Sequence, residues 1–399
     1  MAQLIAGVSR TFDEFLLLPN LTRSDCSPAT VDLRTPLVRH TTAEAPPIEL
    51  HSPVTSAVMQ AVSTPGLAIA LARNGGLSFL HHNQPIADQV SAVRQVKAAE
   101  TDTDDPAPTT RRDGTGGPDG ERFPQRLVDV DGRLRVGAGI NTHDYRERVP
   151  ALLQAGADVL CLDSSDGYSD WQAEALTWVK KNYPEIPTGG GNVVDAEAFS
   201  FLAEAGADFV KVGVGGGSIC ITRDQKGIGR GQASAVWDVA AARDAFRERT
   251  GAHVPICSDG GLVHDHHLAL ALAMGADFVM MGRYFARFDQ AAGAKLATHE
   301  GFVKEYWGEG SNRARNWQRY GQGGRELVFE EGVDGFVPYA GDLAEGLALT
   351  LAKLRSTMVS CGSTTLAEFR SNARLTLVSE RSFQEGHANV PLREGTAAL

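Results

Sequence analysis

One cysteine, two hydroxyls and a run of glycines stand together in Val212–Gln232, "VGVGGGSICITRDQKGIGRGQ". A thiolate is a strong nucleophile, and positive charge or oriented backbone N–H groups around it lower the thiol pKa. Glycines let backbone dipoles approach a ligand closely, and Ser218 and Thr222 place hydroxyls on either side of Cys220. The stretch suits a nucleophilic cysteine held against a bound ligand. A thiol buried as a small hydrophobe is the alternative.

Two further loops suit an anion. "SDGG" (Ser258–Gly261) and "MGRYF" (Met281–Phe285) each end an apolar run and precede a helical stretch. Backbone amides there, with Arg283 beside them, can hold a phosphate. Asp163 in "CLDSSDG" can accept from ribose hydroxyls or cap the next helix. The histidines of "HDHH" (His264–His267) have no matching ligand set elsewhere and read as a solvated first helical turn, not a zinc site.

A weak repeat positions these residues. "AGADVLCLDSSDG" from Ala155, "AGADFVKVGVGGG" from Ala205 and "MGADFVMMGRYF" from Met274 share one order: helix end, Gly-Ala-Asp turn, short apolar strand, then a polar or glycine-rich loop. "IELHSPVTSA", "GGLSFLHH", "LRVGAGINT", "EIPTGGGNVV" and "VPICSDGG" bring the strands to eight, most of them followed by amphipathic helical stretches. Continuous apolar strands alternating with helices imply a parallel sheet covered on its outside. Eight of them predict an α/β fold, a (β/α)8 TIM barrel, with the chemistry on loops at the strand C-terminal ends. Asp163, Asn192, Cys220, Asp259, Gly282 and Arg283 all fall on such loops.

Two segments break the pattern. Residues 98–122, rich in Asp, Thr, Pro and Gly, are expected to be a disordered linker. They divide the barrel into a first part (1–97) and a remainder (123–399). Residues 300–341 are polar, glycine-rich and aromatic, and are expected to form a long mobile flap. The chain has 399 residues, 42% hydrophobic and 22% charged, with a formal net charge of −11, which argues against nucleic acid as a partner. No stretch reaches membrane-spanning length, and five scattered cysteines without a secretory signal favour reduced thiols in a cytoplasmic protein.

"GGGSICITRDQKGIGRGQ", "CSDGG", "GADFVMMGRYFAR", "KEYWGEGS" and "FEEGV", in this order, resemble the IMP dehydrogenase/GMP reductase family over nearly the whole chain. The resemblance implies a barrel that assembles as a homotetramer, takes IMP and NAD+, and holds a potassium ion. It assigns Cys220 as the nucleophile on purine C2, Thr222 as a positioner of water, and Arg319 with Tyr320 in "NWQRYGQGG" as the flap pair that activates it. It gives the phosphate to Ser218, Gly261, Gly282, Arg283 and Tyr306, the ribose hydroxyls to Asp259, and the hypoxanthine edge to Glu331, with Met59 also at the substrate. Asp163, Ser164 and Asn192 fall at the nicotinamide ribose, and Trp171 at the adenosine end. There His143 stands where close relatives have arginine.

The implied potassium ligands are Gly215, Gly217 and Cys220, with Glu385 and Gly386 from a C-terminal segment that reads Glu-Gly-Gly in relatives and Glu-Gly-His here. Most relatives carry paired cystathionine-β-synthase-type regulatory modules where this chain has only its linker. The flap motif favours a dehydrogenase. A GMP reductase using NADPH, or a nucleotide-binding paralogue without turnover, are the alternatives.

Overall fold

The computed structural model describes residues 2, 4–41, 44–99, 126–299, 301–314, 329–388 and 390. Eight parallel strands close into a barrel: β1 (Val54–Ser56), β2 (Leu77–Leu80), β3 (Gly137–Ile140), β4 (Val159–Leu162), β5 (Thr188–Val193), β6 (Val210–Val212), β7 (Ile256–Asp259) and β8 (Phe278–Met281). Each pairs with its neighbours in sequence, and β8 pairs with β1 to close the ring. Every one of the eight expected strands is in the barrel. Of the expected linker, 98–122, Ala98 is the last residue of α2, and residues 100–122 lie outside the described residues.

The helices that cover the strands are α1 (Pro65–Arg73), α2 (Ile86–Ala98), α3 (Tyr145–Ala155), α4 (Asp170–Asn182), α5 (Ala196–Glu204), α6 (Gln232–Thr250), α7 (Asp265–Ala273) and α8 (Leu343–Ser360). Their apolar faces pack on the outside of the strands, and a smaller cluster including Leu77, Phe79, Val159, Phe209 and Phe278 fills the lumen. Phe209 meets Phe278 edge-on with centroids 5.8 Å apart, the geometry that aromatic quadrupoles favour.

The Gly-Ala-Asp repeat has a mechanical meaning. In each copy the aspartate stands just before an even strand and bonds twice to the start of the preceding odd strand. Asp158, Asp208 and Asp277 accept from the N–H groups of Val136, Thr188 and Ile256 at 2.8, 2.6 and 2.8 Å. Their own N–H groups donate to the carbonyls of the same three residues. Each carboxylate also meets a cation from the helix before that odd strand: Lys97 of α2, Lys180 of α4 and Arg243 of α6. Three equivalent fasteners thus close the end of the barrel where the strands begin.

Asp277 is fully buried. Burial pulls its pKa up, but Arg243, His253 and Arg370 outweigh burial and hold it well below 3.8. Its stabilisation is therefore complete above about pH 4 and is lost as pH falls through that depressed value. Asp277→Asn strands buried cations and is expected to cost about 3–5 kcal/mol. Thermal melts from pH 2.5 to 7 should show lower stability at neutral pH and a shallower acid limb than wild type. Equal melts at pH 7 would refute the fastener.

Residues 301–338 differ from the irregular excursion expected for this part of the chain. Strands β9 (Lys295–Thr298), β10 (Gly301–Trp307) and β11 (Asp334–Pro338) form an antiparallel sheet, with Trp307 opposite Asp334. "GFVKEYW" does not alternate apolar with polar residues, since Lys304 is buried and Phe302 exposed, so the strand carried no period-2 signal. The ribbon holds Gly308–Gly310 and Glu331–Gly332 of its connection against the cavity at the mouth of the barrel. Residues 315–328 of that connection, with Arg319 and Tyr320, lie outside the described residues.

Candidate active site

An open cavity of about 1070 Å3, counted to its mouth, sits over the strand C-terminal ends. Its wall takes in the glycine-rich loop after β6, the Asp259–Leu262 turn after β7, the β8 end at Met280–Arg283, and Glu331 from the ribbon connection. Ser218, Cys220, Thr222, Asp259, Gly261, Gly282, Arg283, Tyr306, Glu331 and Met59 all line it, as do Asp163, Ser164, Asn192, Gly215 and Gly217. A second cavity of about 930 Å3 shares Asp163, Ser164, Ser165 and Glu309 with the first. His143 and Trp171 line this one, together with His82, Asn141 and Thr142.

Of the five cysteines, only Cys220 lines either of these two cavities. Burial pushes Cys161 up to about 12 and Cys257 well above its usual value, against the pull of Lys211, so both stay protonated in the lumen. Cys220 is half-buried, and Sγ donates to Thr222 Oγ1 at 3.2 Å. Thr222 is buried and donates in turn to Glu331 Oε2 at 3.0 Å. A backbone bridge between Cys220 and Gly332, and the Ile221 N–H on the Glu331 carbonyl at 2.9 Å, dock the ribbon connection onto the cysteine loop. Thiol, hydroxyl and carboxylate therefore form one hydrogen-bonded line.

The anion end is built from different loops. The Gly261 N–H donates to the Gly216 carbonyl at 2.9 Å, so it ties the two loops together and does not face a ligand. Donors that remain at this end include the side chains of Ser218, Arg283 and Tyr306. The Tyr306 hydroxyl lies 3.8 Å from Met59 Sδ, and burial pushes its pKa well up, keeping it a neutral donor. A Cβ at Gly282 would come within 2.7 Å of the Tyr306 hydroxyl and 2.9 Å of Met59 Sδ. Any side chain there would close the pocket.

Between the two cavities lies a residue that sequence reasoning missed. Lys211, central in β6 and 1% exposed, bonds Asp163 and stands 3.1 Å from Asp259 Oδ2. Burial lowers the ammonium pKa, but the two carboxylates outweigh it and hold it well above the usual lysine value. Asn192 Nδ2 donates to the same Asp259 oxygen at 3.0 Å and to the Gly213 carbonyl at 2.7 Å. A charged side chain inside "FVKVG" was the available signal, since a buried lysine needs a carboxylate. Glu309, shared by both cavities and accepting from the Gln60 N–H, was missed too.

Asp163 does not cap the next helix: Ser169 caps α4, with its side chain accepting from Gln172 N–H. The Asp163 carboxylate instead meets Lys211 and, at 4.0 Å, His82 Nε2, and lines both cavities. Two features suit a dinucleotide beside it. Asn192 Oδ1 is buried without a hydrogen-bond partner, an acceptor shaped for a carboxamide or hydroxyl. Trp171 is 72% exposed at the second cavity, an uncovered ring on which a base can stack.

Glu385 and Gly386 do not line either cavity. Gly386 follows a short helix, Glu380–Glu385, that packs near the Phe12–Glu14 turn. The expected solvated turn at His264–His267 is partly corrected. His267 is 1% exposed, with Nε2 on Asp13 at 2.8 Å and Nδ1 accepting from Val263 N–H. With Nδ1 accepting, Nε2 holds the ring proton and donates to Asp13, so His267 is a neutral imidazole whose two nitrogens are both engaged where Asp13, His266 and His267 converge.

Fold and site together define a (β/α)8-barrel protein with one cavity-lining cysteine beside a paired ligand cleft. The chain belongs to the IMP dehydrogenase/GMP reductase family, whose domain model matches residues 9–389. A protein named inosine-5'-monophosphate dehydrogenase from Tritrichomonas foetus is 42% identical over 489 aligned positions, covering 98% of this chain and 97% of that one. Proteins of the same name from Borreliella burgdorferi (31%, 97% and 98% covered) and Aquifex aeolicus (30%, 95% of each) are also similar. The Tritrichomonas alignment is much longer than this chain's 399 residues, so that relative has sequence without a counterpart here, whereas the Borreliella alignment runs over only 412 positions. This is the difference expected between forms with and without inserted modules. No helix among the described residues is long and apolar enough to cross a membrane.

Proposed function

We propose that this chain is an NAD-dependent IMP dehydrogenase that converts IMP and water to xanthosine 5'-monophosphate through a covalent Cys220 adduct. The carrying observation is the line Cys220–Thr222–Glu331 in the wall of a cavity whose other end offers Ser218, Arg283 and Tyr306 to a phosphate. Asp259 would take the substrate ribose hydroxyls, and Asp163 with Ser164 and Asn192 the nicotinamide ribose and carboxamide. His143 and Trp171 would hold the adenosine end. NAD+, when bound, supplies the two-electron oxidant for purine C2.

In the first half-reaction the Cys220 sulfur forms a bond to C2 and its proton leaves along Thr222 toward Glu331. Oxidation at C2 then leaves a thioimidate on sulfur. In the second half-reaction water adds to C2, the C–S bond breaks, and the thiol is regenerated. Thr222, backed by Glu331, is placed to take the proton from that water, and Arg319 with Tyr320 is carried here as the flap pair implied by the resemblance. For potassium, the cysteine loop offers the Gly215, Gly217 and Cys220 carbonyls. Glu385 and Gly386 do not join them in the cavity wall, and no step is assigned to the ion. A homotetramer in the cytoplasm is the proposed setting, checked by light scattering.

The direct test is absorbance at the nicotinamide band, with IMP and NAD+ in one cuvette and GMP and NADPH in another. NADH formation in the first supports the reading. NADPH loss in the second alone makes the chain a GMP reductase, and nucleotide binding without turnover in either makes it a binder. Glu331→Gln, which removes the proton acceptor of both half-reactions, should slow the NADH burst and the steady state alike by about 10²-fold, the usual contribution of a general base. Stopped-flow absorbance separates the phases, and an unchanged steady state would remove Glu331 from hydrolysis.

A further inference from the structure

The second half of the cysteine segment, Arg223–Gly231, meets the line above only through Lys226 Nζ, 3.5 Å from Glu331 Oε2. Arg223 stands on the short helical turn Thr222–Lys226, directly after Thr222. Its Nη2 donates to two backbone carbonyls, that of Val214 at 3.3 Å and that of Arg230. These are the two ends of the loop that carries Cys220. Two glycines make room for the side chain: a Cβ at Gly215 would fall 2.5 Å from Arg223 Cγ, and one at Gly229 would fall 2.7 Å from it. Both glycines also have positive φ, +71° and +151°.

The far end of the loop is anchored in turn. Arg230 donates to the Val194 carbonyl at 2.9 Å and pairs with Asp238 of α6. The Gly231 N–H donates to Ser9 Oγ at 2.6 Å, which brings the N-terminal arm onto the same spot. A single guanidinium nitrogen therefore joins the start of the loop to a point fixed on the barrel.

We propose that Arg223 is a positioning residue that latches the cysteine loop closed, holding Cys220 and Ser218 at the distances their chemistry needs. The inference rests on the dehydrogenase reading only for its kinetic readout. A glycine-rich loop has no side chains of its own to fix it, and each freed residue regains backbone entropy. The planar fork of arginine, with its N–H groups at fixed angles, can serve two carbonyls at once. "KGIGRGQ" thereby acquires a role: its glycines admit the arginine, and Arg230 presents the carbonyl that receives it.

The test compares wild type, Arg223→Met and Arg223→Lys in full-length protein, with thermal melts as a control for folding. The first readout needs no substrate: the rate at which iodoacetamide alkylates Cys220, followed by peptide mass. In Arg223→Met the freed loop exposes the half-buried thiol and this rate rises. The second is the NADH burst from IMP and NAD+, expected to slow by about 10²-fold, the penalty for an ångström-scale misplacement of a reacting group. Arg223→Lys, which keeps a donor on the same stem, should recover most of both. Wild-type alkylation and burst in folded Arg223→Met overturn the latch. So do two variants impaired equally in proportion to a lowered melting temperature, which would make the arginine a fold-stability residue. If wild type gives no NADH the dehydrogenase reading fails, and the alkylation comparison still decides the latch.

Discussion

Cys220→Ala is expected to abolish NADH formation from IMP and NAD+ while IMP still binds. The proposed phosphate and ribose contacts would come from Ser218, Arg283, Tyr306 and Asp259, none of which depends on the thiol. Calorimetry should therefore show IMP affinity close to wild type. No other cysteine is placed to replace the lost sulfur: Cys26, Cys161, Cys257 and Cys361 line neither cavity, and burial keeps Cys161 and Cys257 protonated within the lumen. Removing a catalytic nucleophile costs on the order of 10⁴-fold or more in kcat, so turnover should fall below detection. Mass spectrometry of quenched wild type should find the nucleotide on the peptide containing Cys220, and the variant should carry none. Residual turnover within tenfold of wild type would sink the covalent mechanism.

Lys211→Met should be the most damaging change that touches neither the nucleophile nor the ribbon. It leaves Asp163 and Asp259, both lining the open cavity, facing one another without the buried ammonium between them. Breaking a buried ion pair by removing one partner costs about 3–5 kcal/mol, a large share of a typical domain's stability. The uncompensated repulsion would turn the carboxylates out of the arrangement proposed to receive the ribose hydroxyls. The expected outcome is a lowered urea midpoint together with a raised KM for NAD+, IMP or both. Unchanged stability and unchanged KM values would show that the lysine holds neither carboxylate in place.

The barrel was legible because parallel strands, covered on both sides, must be almost continuously apolar, and that signature survives in short stretches such as "FVMM" and "VLCL". Loops at their ends then followed from topology, and with them Asp163, Asn192, Cys220 and Arg283. What escaped has a common cause. Lys211, Asp158, Asp208 and Asp277 work through partners far away in sequence, and spacing carries no information about such pairs. Gly261 shows the converse. Its position in a phosphate-type turn was evident, but its N–H is already bonded to Gly216, a competition between loops that only the folded chain displays. The ribbon strands were hidden by composition, since a sheet with one face in solvent is half polar.

The three fasteners at the opposite end of the barrel separate two kinds of evolutionary pressure. Asp158, Asp208 and Asp277 bind the starts of strands whose other ends carry the reacting groups. Loops such as Val212–Gln232 therefore do not have to contribute to holding the strands in register. They are free to keep strained glycines, an uncovered tryptophan and an acceptor without a partner, features that would be liabilities in a segment on which folding relied. Substitutions that retune the ligand can accumulate on one rim while the other rim carries the burden of remaining folded.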